Sequence, residues 1–338
     1  MATIVLDAMG SDHYPDVDVR GAVMAAREYD LDLILVGDEK QIRAKLAEYA
    51  PNETLPIRVV HAPEMLTMDD KGDELVRKAR HKDAKNSMAV GIDLLKAGEA
   101  DAFVTVGNIG AAMVTALFRL GRLKGISRPA LAPTFPTEKG SCLVLDIGAN
   151  PDCKAQNLVD FAVMGSVYVE RLWGIEKPLV GIVSNGEEAG KGSSLVRETY
   201  PLLEETELNF FGNVEGKGVI RGDVDVAVTD GFTGNVMLKT SEAIAKLVIG
   251  QIKDVIKSGN LVTKLAGLLL KPAFRKAKER LDPSDVGAVP LLGVKGLVFI
   301  GHGSSDAQAI KSALRAANEA VAADLLNSLR EAVEARAE

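Results

Sequence analysis

Val224-Asp225-Val226-Ala227-Val228-Thr229-Asp230-Gly231-Phe232-Thr233-Gly234-Asn235-Val236 is the stretch on which the reading of the fold turns. Its apolar start reads as a buried strand. Two glycines and several polar side chains then make a turn, and a helical pattern resumes at Val236. In α/β proteins such a junction faces ligands, because side chains and backbone N–H groups at the carboxyl end of a strand converge on one crevice. Here the junction offers a carboxylate (Asp230), a hydroxyl (Thr233) and an amide (Asn235), a set suited to a phosphate or an oxyanion.

The same strand-then-helix rhythm extends in both directions. Strands are expected at 3–8, 32–36, 57–61, 102–106, 131–135, 142–147, 179–184, 224–229 and 297–300. Helices are expected at 17–28, 39–49, 73–80, 87–97, 111–120, 158–172, 194–204, 236–256 and 306–335. Alternation of this kind predicts βαβ units and a mostly parallel sheet with helices on both faces. No repeat or Pro/Ser-rich linker divides residues 1–338, so one α/β unit is expected, with a soft division near 150.

Composition narrows the function. A net charge of −7 and an aromatic content of 4% disfavour a nucleic-acid binder. Two cysteines, Cys142 and Cys153, give no disulfide framework and fit a reducing cytosol. No targeting segment opens the chain, and no apolar run is long enough to span a membrane. The four histidines are scattered, which argues against zinc, and no nucleophile elbow or thiolate partner is visible. Gly186 and Gly190-Lys191-Gly192 only approximate a P-loop, since Gly192 stands where a magnesium-binding hydroxyl belongs, and no dinucleotide fingerprint follows the first strand. Direct transfer between two bound substrates is the chemistry left in front.

Further polar turns stand at strand ends: Asp7-Ala8-Met9-Gly10-Ser11-Asp12, Gly107-Asn108-Ile109-Gly110-Ala111, Asp146-Ile147-Gly148-Ala149-Asn150, the loop around Lys191, and Gly301-His302-Gly303-Ser304-Ser305. Glycine admits a ligand close to the backbone, and a following helix offers free N–H groups. Lys191, freed by its glycine neighbours, is the strongest cationic candidate.

One segment breaks the rhythm. Residues 251–280 carry eight basic side chains against two acidic ones, so a +6 segment sits in a chain of −7. Leu261, Leu265, Leu268 and Leu269 share one helical face, and Pro272 is expected to bend or restart the helix. The segment 251–282 reads as a basic amphipathic arm for a membrane surface, an acidic protein partner, or packing within a homodimer.

Taken in order, these motifs with Asn209-Phe210-Phe211-Gly212-Asn213-Val214-Glu215-Gly216 and Pro290-Leu291-Leu292-Gly293-Val294 closely resemble the bacterial phosphate acyltransferase (acyl-carrier-protein:phosphate transacylase) family of phospholipid synthesis. The resemblance covers nearly the whole chain. It implies a three-layer α/β/α sandwich like isocitrate and isopropylmalate dehydrogenases and phosphotransacetylase, with the arm as a protruding helical hairpin. It also implies a cytoplasmic homodimer peripherally associated with the inner face of the cell membrane. The implied reaction moves a long-chain acyl group from acyl-carrier protein to inorganic phosphate, with no cofactor, no metal and no covalent acyl-enzyme. The acyl phosphate would pass to a membrane glycerol-3-phosphate acyltransferase. Lys191 and Asn235 match the family's active-site positions, with Asp230 orienting one of them. Asp7, Gly10, Asn108, Gly110, His302 and Ser304 are the candidates for phosphate. Leu261, Leu265, Leu268, Leu269, Lys271, Arg275 and Lys276 are those for membrane or carrier contact. The rival readings are a short-chain phosphotransacetylase using acyl-CoA and a non-catalytic membrane-bound acyl-carrier scaffold.

Overall fold

The computed structural model describes residues 1–81, 83–281 and 287–336; for 275–281 it describes the backbone alone. The chain runs β1 (Ala2–Asp7), α1 (Asp16–Glu28), β2 (Leu31–Gly37), α2 (Glu39–Tyr49), β3 (Ile57–His61), α3 (Gly72–Arg80), α4 (Ser87–Lys96), β4 (Ala102–Thr105) and α5 (Ile109–Arg119). It continues through β5 (Ala130–Leu131), β6 (Thr134–Thr137), β7 (Gly140–Leu145), α6 (Ala155–Trp173), β8 (Val180–Val183), α7 (Ser194–Glu204), β9 (Phe210–Val214), α8 (Gly216–Arg221) and β10 (Val226–Val228). Then come α9 (Gly231–Ser258), α10 (Leu261–Leu281), β11 (Val289–Leu292), β12 (Leu297–Ile300), α11 (Ala307–Ala322) and α12 (Leu325–Ala335).

The strands form two sheets, ordered β3-β2-β1-β4-β12-β11-β5 and β6-β7-β10-β8-β9. Pairing is parallel except at β11 and β6. Side chains alternate across each strand, and the core records it. Ile4, Leu6, Leu33, Leu35, Val104, Leu143, Leu145, Val226 and Val228 pack in one apolar layer with α1, α6, α11 and α12. Their sequence neighbours Val5, Ile34, Val36, Phe103, Val144 and Ala227 pack in the other, with α4 and α5. Strands buried on both faces need continuous apolar runs, which is why they were legible in the sequence. The result is an α/β/α sandwich, as the resemblance implies.

Several expected elements come out differently. The strand expected at 131–135 is two strands in different sheets, split by Ala132 and Pro133; Ala132 donates to Pro290 in one sheet, and Pro133 accepts from Val144 in the other. The chain thus crosses between sheets at 132–133 and returns at Val289, while residue 150 lies in the loop after β7. The long C-terminal helix breaks at Asp324, whose φ of 52° ends the right-handed run and turns α12 onto α6. β9, α8 and β11 lacked a period long enough to be assigned from sequence.

The arm is a hairpin of α9 and α10. Asn260 accepts from the N–H and hydroxyl of Thr263, which starts α10. A Cβ at Gly267 would stand 2.4 Å from Ile256, so that glycine lets the two helices touch. Pro272 does not restart the chain, for α10 runs through it. The ring removes the bond to the Leu268 carbonyl, and on a helix whose side chains lie this open water can replace it. Leu261, Leu265, Leu268, Leu269 and Lys271 are all exposed, whereas the side chains of Arg275 and Lys276 lie outside the described residues.

Candidate active site

At the edge of the second sheet, α9 begins at Gly231, five residues earlier than its apolar period shows. The presumed turn is the cap and first turn of a helix. Asp230 is its N-cap, accepting from Thr233 N and Thr233 Oγ1 at 2.8 Å each. Its carboxylate is spent on that cap, and no bond from it to Lys191 or Asn235 is present among the described residues. The helix start is pressed onto the loop after β7. A Cβ on Gly231 would lie 2.6 Å from Asp146 Oδ2, and one on Gly234 only 2.0 Å from the Asp146 carbonyl oxygen. Asn235, one residue on, is exposed, and its side chain lies over Gly148.

Beneath this contact, Asp146 is fully buried. Oδ1 accepts from Leu131 N (3.0 Å) and Ala149 N (3.2 Å); Oδ2 accepts from Asn150 N (2.6 Å) and Asn150 Nδ2 (3.1 Å). Burial raises its pKa above the usual carboxylate value, while these four donors oppose the rise. Since Leu131 ends β5 and Asn150 also donates to Pro129, one carboxyl ties the two sheets together at the foot of α9. The sequence reading quoted the Asp146–Asn150 motif but gave its two polar ends no role. Their spacing within a strand-end turn was the available signal.

Lys191 stands in the loop after β8, the strand beside β10. Asn185 accepts from Gly192 N, Glu188 O accepts from Lys191 N, and Asn213 Nδ2 reaches across from β9 to the same carbonyl at 2.7 Å. The stem of Lys191 lies against Gly186. Among the described residues no carboxylate lies within ion-pair distance of its ammonium, which therefore remains available to an anion. Asn213 was missed as a support because its strand was missed.

The remaining candidates gather at the edge of the first sheet. Asp7 is buried and accepts from Thr105 Oγ1 (2.8 Å) and Met9 N (3.2 Å), with burial raising its pKa above the usual carboxylate value. Gly10 packs against Gly107 N, bringing the loops after β1 and β4 together. Asn108 caps α5 through Ala111 N, and its Nδ2 donates to Thr67 O and Asp70 O, so it also clamps the loop before α3. Gly110 lies in the first turn of α5. His302 Nδ1 lies 2.8 Å from Ser304 Oγ, and Gly303 O accepts from Asp12 N at 2.8 Å. Three glycine-bearing loops thus meet, with Asp7 as an internal support and His302 and Ser304 exposed.

The structure therefore divides the expected site residues by sheet: Lys191, Asp230 and Asn235 on one edge, the phosphate candidates on the other. Among the described residues no hydrogen bond joins the two groups. None of the described His, Cys, Asp and Glu residues form a group of three or more able to hold a metal ion.

Comparison with known proteins places this geometry. The family model described as fatty acid synthesis protein matches residues 2–328. A phosphate acyltransferase of Acidobacterium capsulatum is 46% identical over 319 residues, covering 94% of this chain and 93% of that protein. Among solved structures, a phosphotransacetylase from Streptococcus pyogenes superposes with a TM-score of 0.62 at 18% identity, over 98% of this chain and 94% of its own. A 4-hydroxythreonine-4-phosphate dehydrogenase from Klebsiella pneumoniae gives a TM-score of 0.51 at 13% identity, over 95% and 100%. The two structural likenesses show a shared fold.

Proposed function

The chain belongs to the phosphate acyltransferase family, enzymes of lipid synthesis that move an acyl group to phosphate, and on that footing we propose acyl-carrier protein as its donor and a long-chain acyl phosphate as its product. A phosphate oxygen attacks the thioester carbonyl carbon. The carbon–sulfur bond then breaks, and the carrier thiolate leaves with the electron pair and collects a proton. No acyl-enzyme is needed, because phosphate at neutral pH is already an oxygen nucleophile that has only to be positioned and partly desolvated.

The observation that carries this reading is the unpaired Lys191 ammonium on the strand-end loop beside the one that presents Asn235. An amide N–H and an ammonium are the donors a tetrahedral oxyanion requires, and losing one such donor costs roughly 100-fold in rate or more. Lys191 serves equally to neutralise phosphate. Asp230 fixes the start of α9 and so aims Asn235. The backbone of 10–12, the first turn of α5 and the turn at His302 and Ser304 hold phosphate, with Asp7 and Asn108 bracing them.

The hairpin supplies the address. Its exposed leucines and excess of lysine suit an anionic membrane face, where a membrane glycerol-3-phosphate acyltransferase would take the product, and also suit an acidic carrier protein. In this reading the contact is peripheral; no described helix is long and apolar enough to cross a membrane. A homodimer completes the reading.

The test is phosphate-dependent thiol release from palmitoyl-carrier protein, with hydroxylamine trapping of the product. Release that requires phosphate and yields hydroxamate supports the proposal. Turnover of acetyl-CoA with none from the carrier protein favours the short-chain phosphotransacetylase instead.

A further inference from the structure

One buried acid has no part in the reaction described above. Asp18, in the first turn of α1, is 0% exposed. Its Oδ2 accepts from Ser11 Oγ at 2.6 Å, and its Oδ1 is buried with no hydrogen-bond partner. Its charged neighbour is another buried acid, Asp7 of β1. The cations nearby are engaged or open to solvent: Lys45 of α2 pairs with Asp16, Lys311 of α11 with Glu28 at the far end of α1, and Arg20 is exposed. Asp306 is spent capping α11, Asp12 and His13 of the intervening loop face water, and Asp32 is at the start of β2.

An ionised carboxylate in that position would keep one hydroxyl donor, leave an oxygen bare and face a like charge. Such burial is unfavourable, and the neutral acid avoids most of the cost. Burial, only partly offset by Ser11 and reinforced by Asp7, pushes Asp18 up to about 8.

The acid is joined to the phosphate candidates. Ser11, which it holds, follows Gly10 directly, and the next N–H, that of Asp12, donates to Gly303 between His302 and Ser304. The loop at 10–12 therefore covers Asp18 and is bonded in turn to the loop at 302–304. We propose that Asp18 works as a neutral acid beneath the phosphate turn, a positioning residue whose ionisation, facing Asp7 with Oδ1 unpartnered, draws water beneath the loop at 10–12 against the pull of the Ser11 bond and so weakens phosphate binding. The inference rests on that turn being the phosphate site of the proposed function.

The test follows phosphate from pH 7 to 9.5, with Asp18→Asn measured at every pH to subtract phosphate's own second ionisation, by KM in the thiol-release assay and by Kd of inorganic phosphate in titration calorimetry. Wild-type Kd is expected to rise about tenfold per pH unit once Asp18 ionises, with the KM for acyl donor unchanged. Asp18→Asn, neutral at every pH, should bind phosphate as tightly at pH 7 and lose the rise. Ser11→Ala, a second variant should the first fold poorly, should weaken phosphate binding at pH 7 by removing the bond to the loop and move the rise to higher pH, since the hydroxyl favours the ionised form. A wild-type Kd that stays flat, or an Asp18→Asn protein that keeps the rise, overturns the inference. Absence of phosphate-dependent turnover with the Kd profile intact instead overturns the functional reading and leaves this one standing.

Discussion

Adding one methyl group at Gly234 tests the link between packing and catalysis most directly. The Cβ would sit 2.0 Å from the Asp146 carbonyl oxygen and 3.1 Å from Thr229 Cγ2, both belonging to strand ends that have little room to move. Carbon and oxygen do not approach closer than about 3 Å, so the start of α9 must retreat by roughly 1 Å. Overpacking of that kind costs about 1–3 kcal/mol, occasionally more, and in a chain of this length lowers the thermal midpoint by roughly 1–4 °C. The catalytic effect should be larger than the stability effect suggests. Asn235 is the next residue, and a displacement near 1 Å of a group that must meet the reacting carbonyl costs on the order of 100-fold. Gly234→Ala is therefore expected to keep its fold and lose about two orders of magnitude in thiol release. Gly190→Ala, where nothing lies within 4 Å of the new Cβ, should stay within about threefold of wild type. Should Gly234→Ala turn over at the wild-type rate with an unchanged midpoint, the close contact at the start of α9 has no bearing on activity and the account of Asn235 is wrong.

Lys191→Ala and Asn235→Ala should each lower kcat by roughly 100-fold while circular dichroism and thermal midpoint stay put, because both side chains are exposed. Asp146→Asn puts an NH2 group against N–H donors at the joint between the sheets; differential scanning calorimetry should record a loss of about 2–4 kcal/mol. Charge reversal at Lys271, Arg275 and Lys276 should reduce sedimentation with anionic vesicles, most at low salt, and leave turnover of a soluble acyl donor intact. Equal sedimentation at low salt would remove the membrane role from the arm.

How much of this was legible beforehand follows from which interactions are local. The runs of Ile4 to Leu6, Leu33 to Val36 and Val224 to Val228 declared buried parallel strands, because a strand covered on both faces has apolar side chains at consecutive positions. The glycine turns that follow them marked the candidate site, because close approach of backbone to ligand needs residues without a Cβ. The basic arm was visible because its charge runs against that of the rest of the chain. Local sequence could not show that Ala132 and Pro133 separate two sheets, since either side reads as strand and the partners, Pro290 and Val144, are distant or shared. Nor could it start α9 at Gly231, because the first turn owes its place to contact with Asp146 and not to an apolar stripe.

The sequence by itself determined the layered α/β class, the family, and the polar turns in which the chemistry is sought, for these depend on side-chain period and on residue types at short spacing. The tertiary structure alone decided which acids are buried. Asp7, Asp18 and Asp146 look no different from Asp230 in a list of residues, yet three are enclosed and one is only partly buried. Burial is conferred by elements far away in the chain, and in a medium of low dielectric it is burial that turns a carboxyl from a charge into a support.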